Sequence, residues 1–160
     1  MFMQIAPLPM AFLNRVRKLG LDDQNQPVRR FHSVQGGEPC RDVLRRARAG
    51  EEVILASFCP FTKSGPFKEF GPIYILANPA AEQVVRDALP LPKGHPEDYF
   101  GQQFVLRAYN QNEDIIDGAL VAAEDAKAKL EHFLQTPEVT FVQARFPVYG
   151  CFSCRIERVV

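Results

Sequence analysis

The side chains of this 160-residue chain best equipped for covalent chemistry are its four cysteines, Cys40, Cys59, Cys151 and Cys154. Cys151 and Cys154 form a C-x-x-C, a spacing that in a zinc knuckle or at a helix start brings two sulfurs onto one ion or onto each other. Here the pair falls in CFSCRIERVV, which reads as a strand. In a strand, residues three apart face opposite ways, so Phe152, Cys154 and Ile156 share an apolar face and Cys151, Ser153, Arg155 and Glu157 the other. Bringing both sulfurs to one metal would take a bulge or a turn. No second C-x-x-C or H-x-x-x-H completes a ligand set, so neither a metal nor a cofactor is expected. Cys40 follows Pro39 in PCRDVLRRARAGEE, which reads either as a short helix with Pro39 in its first turn and Gly50 just past its end or as a loop with one helical turn; a helix N-terminus and the adjoining Arg41 would both favour a thiolate. Cys40 and Cys151 are thus the candidate nucleophilic or redox pair. His32, eight residues before Cys40, is the candidate base.

Non-covalent candidates lie in two other groups. Phe61, Phe67 and Phe70, with Lys63 and Lys68, stud a long loop between two apolar runs, Glu52–Cys59 and Ile73–Ala77. Loops of such length are often functional, and three phenylalanines argue against disorder. They either plug one end of the core or line a surface for a ligand or partner. Arginines form the second group: Arg29, Arg30, Arg41, Arg45, Arg107 and Arg155 could recognise a carboxylate or phosphate through their planar forks, or could be ion-paired to neighbours such as Glu51, Glu52, Asp114 and Glu157. The residues expected to touch a ligand are Arg41, Phe61, Lys63, Phe67 and Arg155.

The elements that position these residues are mostly hairpins. Both faces of Glu52–Cys59 are apolar, as expected of a strand covered on two sides and hence central in its sheet. Residues 102–109 and 114–122, joined by an Asn-rich turn, form a second hairpin, because Asn tolerates positive φ. VTFVQARF, the turn PVYG and the closing strand form a third. Between these hairpins, residues 124–135 are the one clear amphipathic helix: Ala126, Leu130, Phe133 and Leu134 make its stripe, acids open it and Pro137 stops it. Ala81, Val84, Val85 and Ala88 suggest another short helix. Residues 10–18 fit a short strand or a helical turn, and residues 1–9 an arm or edge segment. The fold expected is α+β, with the helix packed on one face of a mostly antiparallel sheet and residues 1–160 forming one domain.

Composition narrows the function classes. Net charge is zero, but residues 1–50 carry nine basic against four acidic side chains and residues 51–160 carry ten against fifteen. A neutral chain lacks the domain-wide positive charge usual for nucleic-acid binding, so the two halves are expected to face one another within the fold or across a dimer. The apolar opening MFMQIAPLPMAFL has no basic residue ahead of it, and Pro7 and Pro9 interrupt a run too short to span a bilayer. Four cysteines are too few for a disulfide scaffold. Together these features point to a soluble cytoplasmic protein with free thiols.

The segments PCRDVLRRARAGEEVILASFCPF, GPFKEFGPIYIL and QFVLRAYNQNEDIIDGALV, followed by the amphipathic helix and GCFSCRIERV, resemble the uncharacterised bacterial domain-of-unknown-function family 1203. Its most specific pieces are Pro39-Cys40-Arg41, Gly50-Glu51-Glu52, and Gly150-Cys151-Phe152 leading into Arg155. The resemblance implies a compact bacterial α+β domain and brings no established activity. Members often carry a histidine in the second strand of the first hairpin, in a motif like S-H-A-I-F-V, where this chain has Phe70-Gly71-Pro72-Ile73-Tyr74-Ile75. The leading expectation is therefore binding of a small molecule or protein partner without catalysis. A thiol enzyme or redox protein built on Cys40 and Cys151 is the alternative, and a homodimer without ligand is a third reading.

Overall fold

The computed structural model describes residues 2–159, leaving the extreme ends of the expected N-terminal segment and closing strand, Met1 and Val160, outside the described residues. Strands β1 (Met3–Ala6), β2 (Arg29–His32), β3 (Pro39–Cys40), β4 (Arg45–Arg46), β5 (Glu52–Phe58) and β6 (Gly71–Leu76) precede β7 (Gln103–Tyr109), β8 (Ile115–Ala122), β9 (Phe141–Arg145) and β10 (Phe152–Arg158). Helix α1 (Met10–Asn14) follows β1, and α2 (Ala123–Gln135) joins β8 to β9. The strands form two five-stranded sheets, one in the order β1-β10-β9-β7-β8 and the other β2-β5-β6-β3-β4. Every named pairing is antiparallel except the short contact of β3 with β6.

Each sheet is built on a hairpin legible in the sequence. In the first, α2 covers one face: Ala126, Leu130, Phe133 and Leu134 pack with Leu106, Val142, Ala144, Cys154 and Ile156. Glu124 and Asp125 sit in the first turn of α2, where the helix dipole favours them. In the second sheet, β5 is central, paired with β2 on one side and β6 on the other. Its core gathers Ile54, Ala56, Phe58 and Ile73 with Phe12 and Val16 from the segment containing α1.

Three local expectations are corrected. Residues 39–49 are not a helix: Pro39 and Cys40 are strand β3, and Arg41 to Leu44 form the tight turn of the β3–β4 hairpin. The apolar spacing of Val43, Leu44 and Ala47 mimicked a helical stripe, but Leu44 takes a left-handed φ of 53° and ends the turn. Its side chain joins the core under α2, while Val43 and Ala47 join a separate cluster with Cys40 and Val53. Residues 80–88 are also non-helical. They run as an irregular segment whose Arg86 carbonyl accepts from the Ile5 amide at 2.7 Å, and Val84 packs on the core. Residues 10–18 resolve to helix: α1 passes into a π-helical turn, Arg15–Leu19.

The third correction concerns β10. Phe152 pairs with Arg145 and Cys154 with Ala144, so Ser153 is an extra residue bulged out of the ladder. Phe152 and Cys154 were expected on one face. The bulge sends Phe152 into the core of the second sheet and Cys154 into that of the first. One strand thereby serves both cores.

Candidate functional site

The bulge exposes backbone carbonyls that a regular strand would engage in its ladder, and two side chains take them. The Tyr99 hydroxyl donates to the Ser153 carbonyl at 2.6 Å. Arg41 donates through Nε to the Phe152 carbonyl at 2.8 Å and through Nη1 to the Pro39 carbonyl at 2.6 Å. The turn that replaces the expected helix is what aims Arg41 at β10. Two of the sequence pieces singled out above, Pro39-Cys40-Arg41 and Gly150-Cys151-Phe152, thus meet at one guanidinium although they lie 111 residues apart between Arg41 and Phe152.

Arg41 forms part of the wall of a hollow of about 860 Å³. That volume lies within the range of about 300–1,000 Å³ common to small-molecule sites. Tyr74, Phe146 and Tyr149 supply aromatic surface, Leu55 and several prolines supply aliphatic surface, and Cys151 presents a free thiol. Both Arg41 and Arg46 lie against the face of Phe146, with guanidinium carbons 5.0 and 5.5 Å from the ring centre. Arg46 donates to the carbonyls of Asp98, Gly37 and Tyr99. Among the described residues neither arginine has a carboxylate partner, although Arg41 is only 4 % exposed. Burial lowers the pKa of Arg41, but an arginine keeps its proton in a protein. A fixed positive charge is therefore held in a largely apolar wall.

The rim is the β9–β10 turn. Val148 and Tyr149 are 98 % and 89 % exposed, and Val148 holds a φ of 70°, a strained value for a β-branched side chain. The Gly150 amide closes the turn on the Phe146 carbonyl at 3.0 Å, and Phe146 in turn donates to the Cys151 carbonyl at 3.0 Å. These bonds fix Phe146 and Cys151 on either side of the turn.

The other candidates from sequence distribute as follows. Cys40 is fully buried in β3 and its thiol points at the Glu38 carbonyl, 3.5 Å away. Burial first, and then the nearby Asp42, push its pKa up to about 12, the reverse of the activation that a helix start would give. His32 lies on exposed β2, with β5 and β6 between it and β3. At the usual strand spacing that is about 14 Å, too far for a proton transfer to Cys40. Cys154 is buried under α2, and burial likewise raises its pKa to about 12. The C-x-x-C sulfurs therefore serve different environments.

The long loop divides between the roles foreseen for it. Phe61 is buried against Tyr109 and Phe141, whereas Phe67 and Phe70 are 39 % and 45 % exposed. Glu113 ties the loop down, accepting from the Thr62 amide at 3.0 Å and the Lys63 amide at 2.7 Å. The Lys63 ammonium donates to the Gln111 carbonyl. Phe61, Phe70 and Arg155 line a second hollow of about 530 Å³. Its arginines are compensated: Arg155 pairs with Glu157 at 2.7 Å and stacks on Phe141, and Arg15 pairs with Asp23. Of the expected ligand-contacting residues, then, Arg41 lines one hollow, Phe61 and Arg155 line another, and Lys63 and Phe67 line neither. Arg46, Phe146 and Tyr149 were not anticipated. The expected P-V-Y-G turn holds Tyr149 and the strands flanking it hold Phe146 and Cys151, but nothing in the sequence shows that Arg46 reaches them.

Two mostly antiparallel sheets with a helix over one of them define an α+β protein. A family model described as a protein of unknown function, DUF1203, matches residues 37–158. The chain belongs to that family. No curated protein and no solved structure matches it. No helix among the described residues is long and apolar enough to cross a membrane.

Proposed function

We propose that this protein is a bacterial cytoplasmic domain that binds a small molecule, without catalysis, in the hollow between the β3–β4 turn, β6 and the β9–β10 turn. One observation carries the reading: a buried, obligatorily charged arginine faces an aromatic-lined space with no carboxylate to neutralise it. Burying an unpaired charge is costly unless a partner repays it. No histidine lines this hollow, so a thiol–imidazole pair has no support there. The four free cysteines accord with a reducing compartment.

Cys151 makes the proposal measurable. In brief alkylation of the native protein followed by peptide mapping, Cys151 and Cys59 should react while buried Cys40 and Cys154 do not. A fragment screen by ligand-observed NMR should yield binders that slow alkylation at Cys151 and leave Cys59 unchanged. Binders that bind saturably yet leave the Cys151 rate untouched would place the site elsewhere.

A further inference from the structure

We infer that the molecule bound in this hollow carries a carboxylate, held at Arg41 and Arg46, on a flat apolar body. The inference rests on the ligand-binding reading above and narrows it to a chemical class. Its ground is a contrast among the arginines of this chain. Arg45 is met by Glu51 and Glu82, Arg17 by Asp42, and Arg145 by Glu69. Arg41, as deeply buried as any of them, has carbonyl dipoles and the Phe146 ring but no anion. Those dipoles orient the guanidinium without cancelling its charge. Arg46 adds a second positive charge against the same ring.

The polarity of the wall decides which anion fits. Arg41 uses Nε and one hydrogen of Nη1, so that Nη2 keeps both of its donors without an acceptor among the described residues. Arg46 spends one hydrogen of each nitrogen on a carbonyl and keeps one on each Nη. A phosphate dianion would bring three strongly accepting oxygens to a wall made mostly of Leu55, Pro39, Pro72 and aromatic rings. A carboxylate asks for fewer donors and carries a single charge. Tyr74 and Tyr149 then offer surfaces on which a flat apolar body can rest.

The test titrates the full chain with phenylacetate, phenylacetamide and phenyl phosphate by calorimetry, with Cys151 alkylation followed in parallel. Phenylacetate is expected to bind about tenfold or more tightly than its amide, as charge-assisted hydrogen bonds require. Arg41→Met should bring acid and amide to the same affinity. Should that variant fail to fold, Arg46→Met, at a less buried position, is expected to weaken the acid and spare the amide. Acid and amide protecting Cys151 equally would overturn the carboxylate assignment and leave the ligand-binding reading standing. Phenyl phosphate binding more tightly than phenylacetate would also overturn it. No binding by any of the three, with Cys151 unprotected by every member of the fragment screen, would overturn both.

Discussion

At the scale of single residues, Arg45 shows what a compensated cation looks like in this chain. Glu51 accepts from its Nη1 at 2.8 Å and Nη2 at 3.0 Å, and Glu82 accepts from its Nε and Nη2. The Arg45 bonds, reinforced by the Arg48 amide, lower the Glu51 pKa from 4.5 to about 2. A carboxylate depressed in the folded state contributes stability that is present above its unfolded pKa and lost as pH falls through the folded one. The wild-type chain should therefore lose stability between the ordinary 4.5 and about 2. Glu51→Gln should be less stable at neutral pH and lose less across that interval, which urea unfolding at a series of acidic pH values would measure. An acid-limb slope identical to wild type would show that Glu51 is not held by Arg45 in solution. Both acids come from the half of the chain with excess negative charge, and Arg30 and Arg48 likewise meet Glu52 and Glu97. These pairs are where the charge asymmetry of the sequence is resolved.

At the scale of elements, the loop between β5 and β6 depends on a residue far from it in sequence. Glu113, buried and at a left-handed φ of 64°, takes three donors from the loop: the amides of Thr62 and Lys63 and the Thr62 hydroxyl. Glu113→Ala leaves those donors unpaired and should cost about 1–3 kcal/mol. Trypsin cleavage after Lys63 and Lys68 should accelerate, since the loop then keeps only buried Phe61, the Lys63 contact with Gln111, the Pro60 carbonyl's bond from Gln143 and the Glu69 pairs with Arg107 and Arg145. Unchanged cleavage would mean that these remaining contacts hold the loop without Glu113. The three hairpins, central β5 and α2 were legible because apolar periodicity and turn chemistry are local signals. The helix expected over residues 39–49 is an error of the same local kind: three apolar side chains at helical spacing belong to two different cores, and only tertiary packing separates them. The site was legible in part. Arg41 and Cys151 stood out by type, but their convergence depends on a left-handed leucine and a bulged serine, neither of which leaves a mark in composition or spacing.

At the scale of the molecule, the two sheets are joined where β10 passes from one core to the other. Phe152 packs against Phe58 with tilted rings whose centres are 5.3 Å apart, on the side of the second sheet, while Ile156 is buried beneath α2 on the side of the first. Arg41 and Tyr99 bind the carbonyls at that crossing, so the hollow is anchored to the seam between the sheets. The bulged Ser153 contributes no hydrogen bond through its buried hydroxyl. Ser153→Ala should therefore be neutral or slightly stabilising, because an unpaired buried polar group is removed. Deleting Ser153 keeps Phe152 and Cys154 on their own sides but takes away the carbonyl that anchors Tyr99. The deletion should lower the thermal midpoint and weaken whatever occupies the hollow, while the alanine variant does neither; equal effects would show that the serine side chain, not the extra residue, matters. The position thus carries its information as length rather than as chemistry. Mutational tolerance in this part of the chain should follow the count of residues between Gly150 and Arg155 more closely than the identity of the one in the middle.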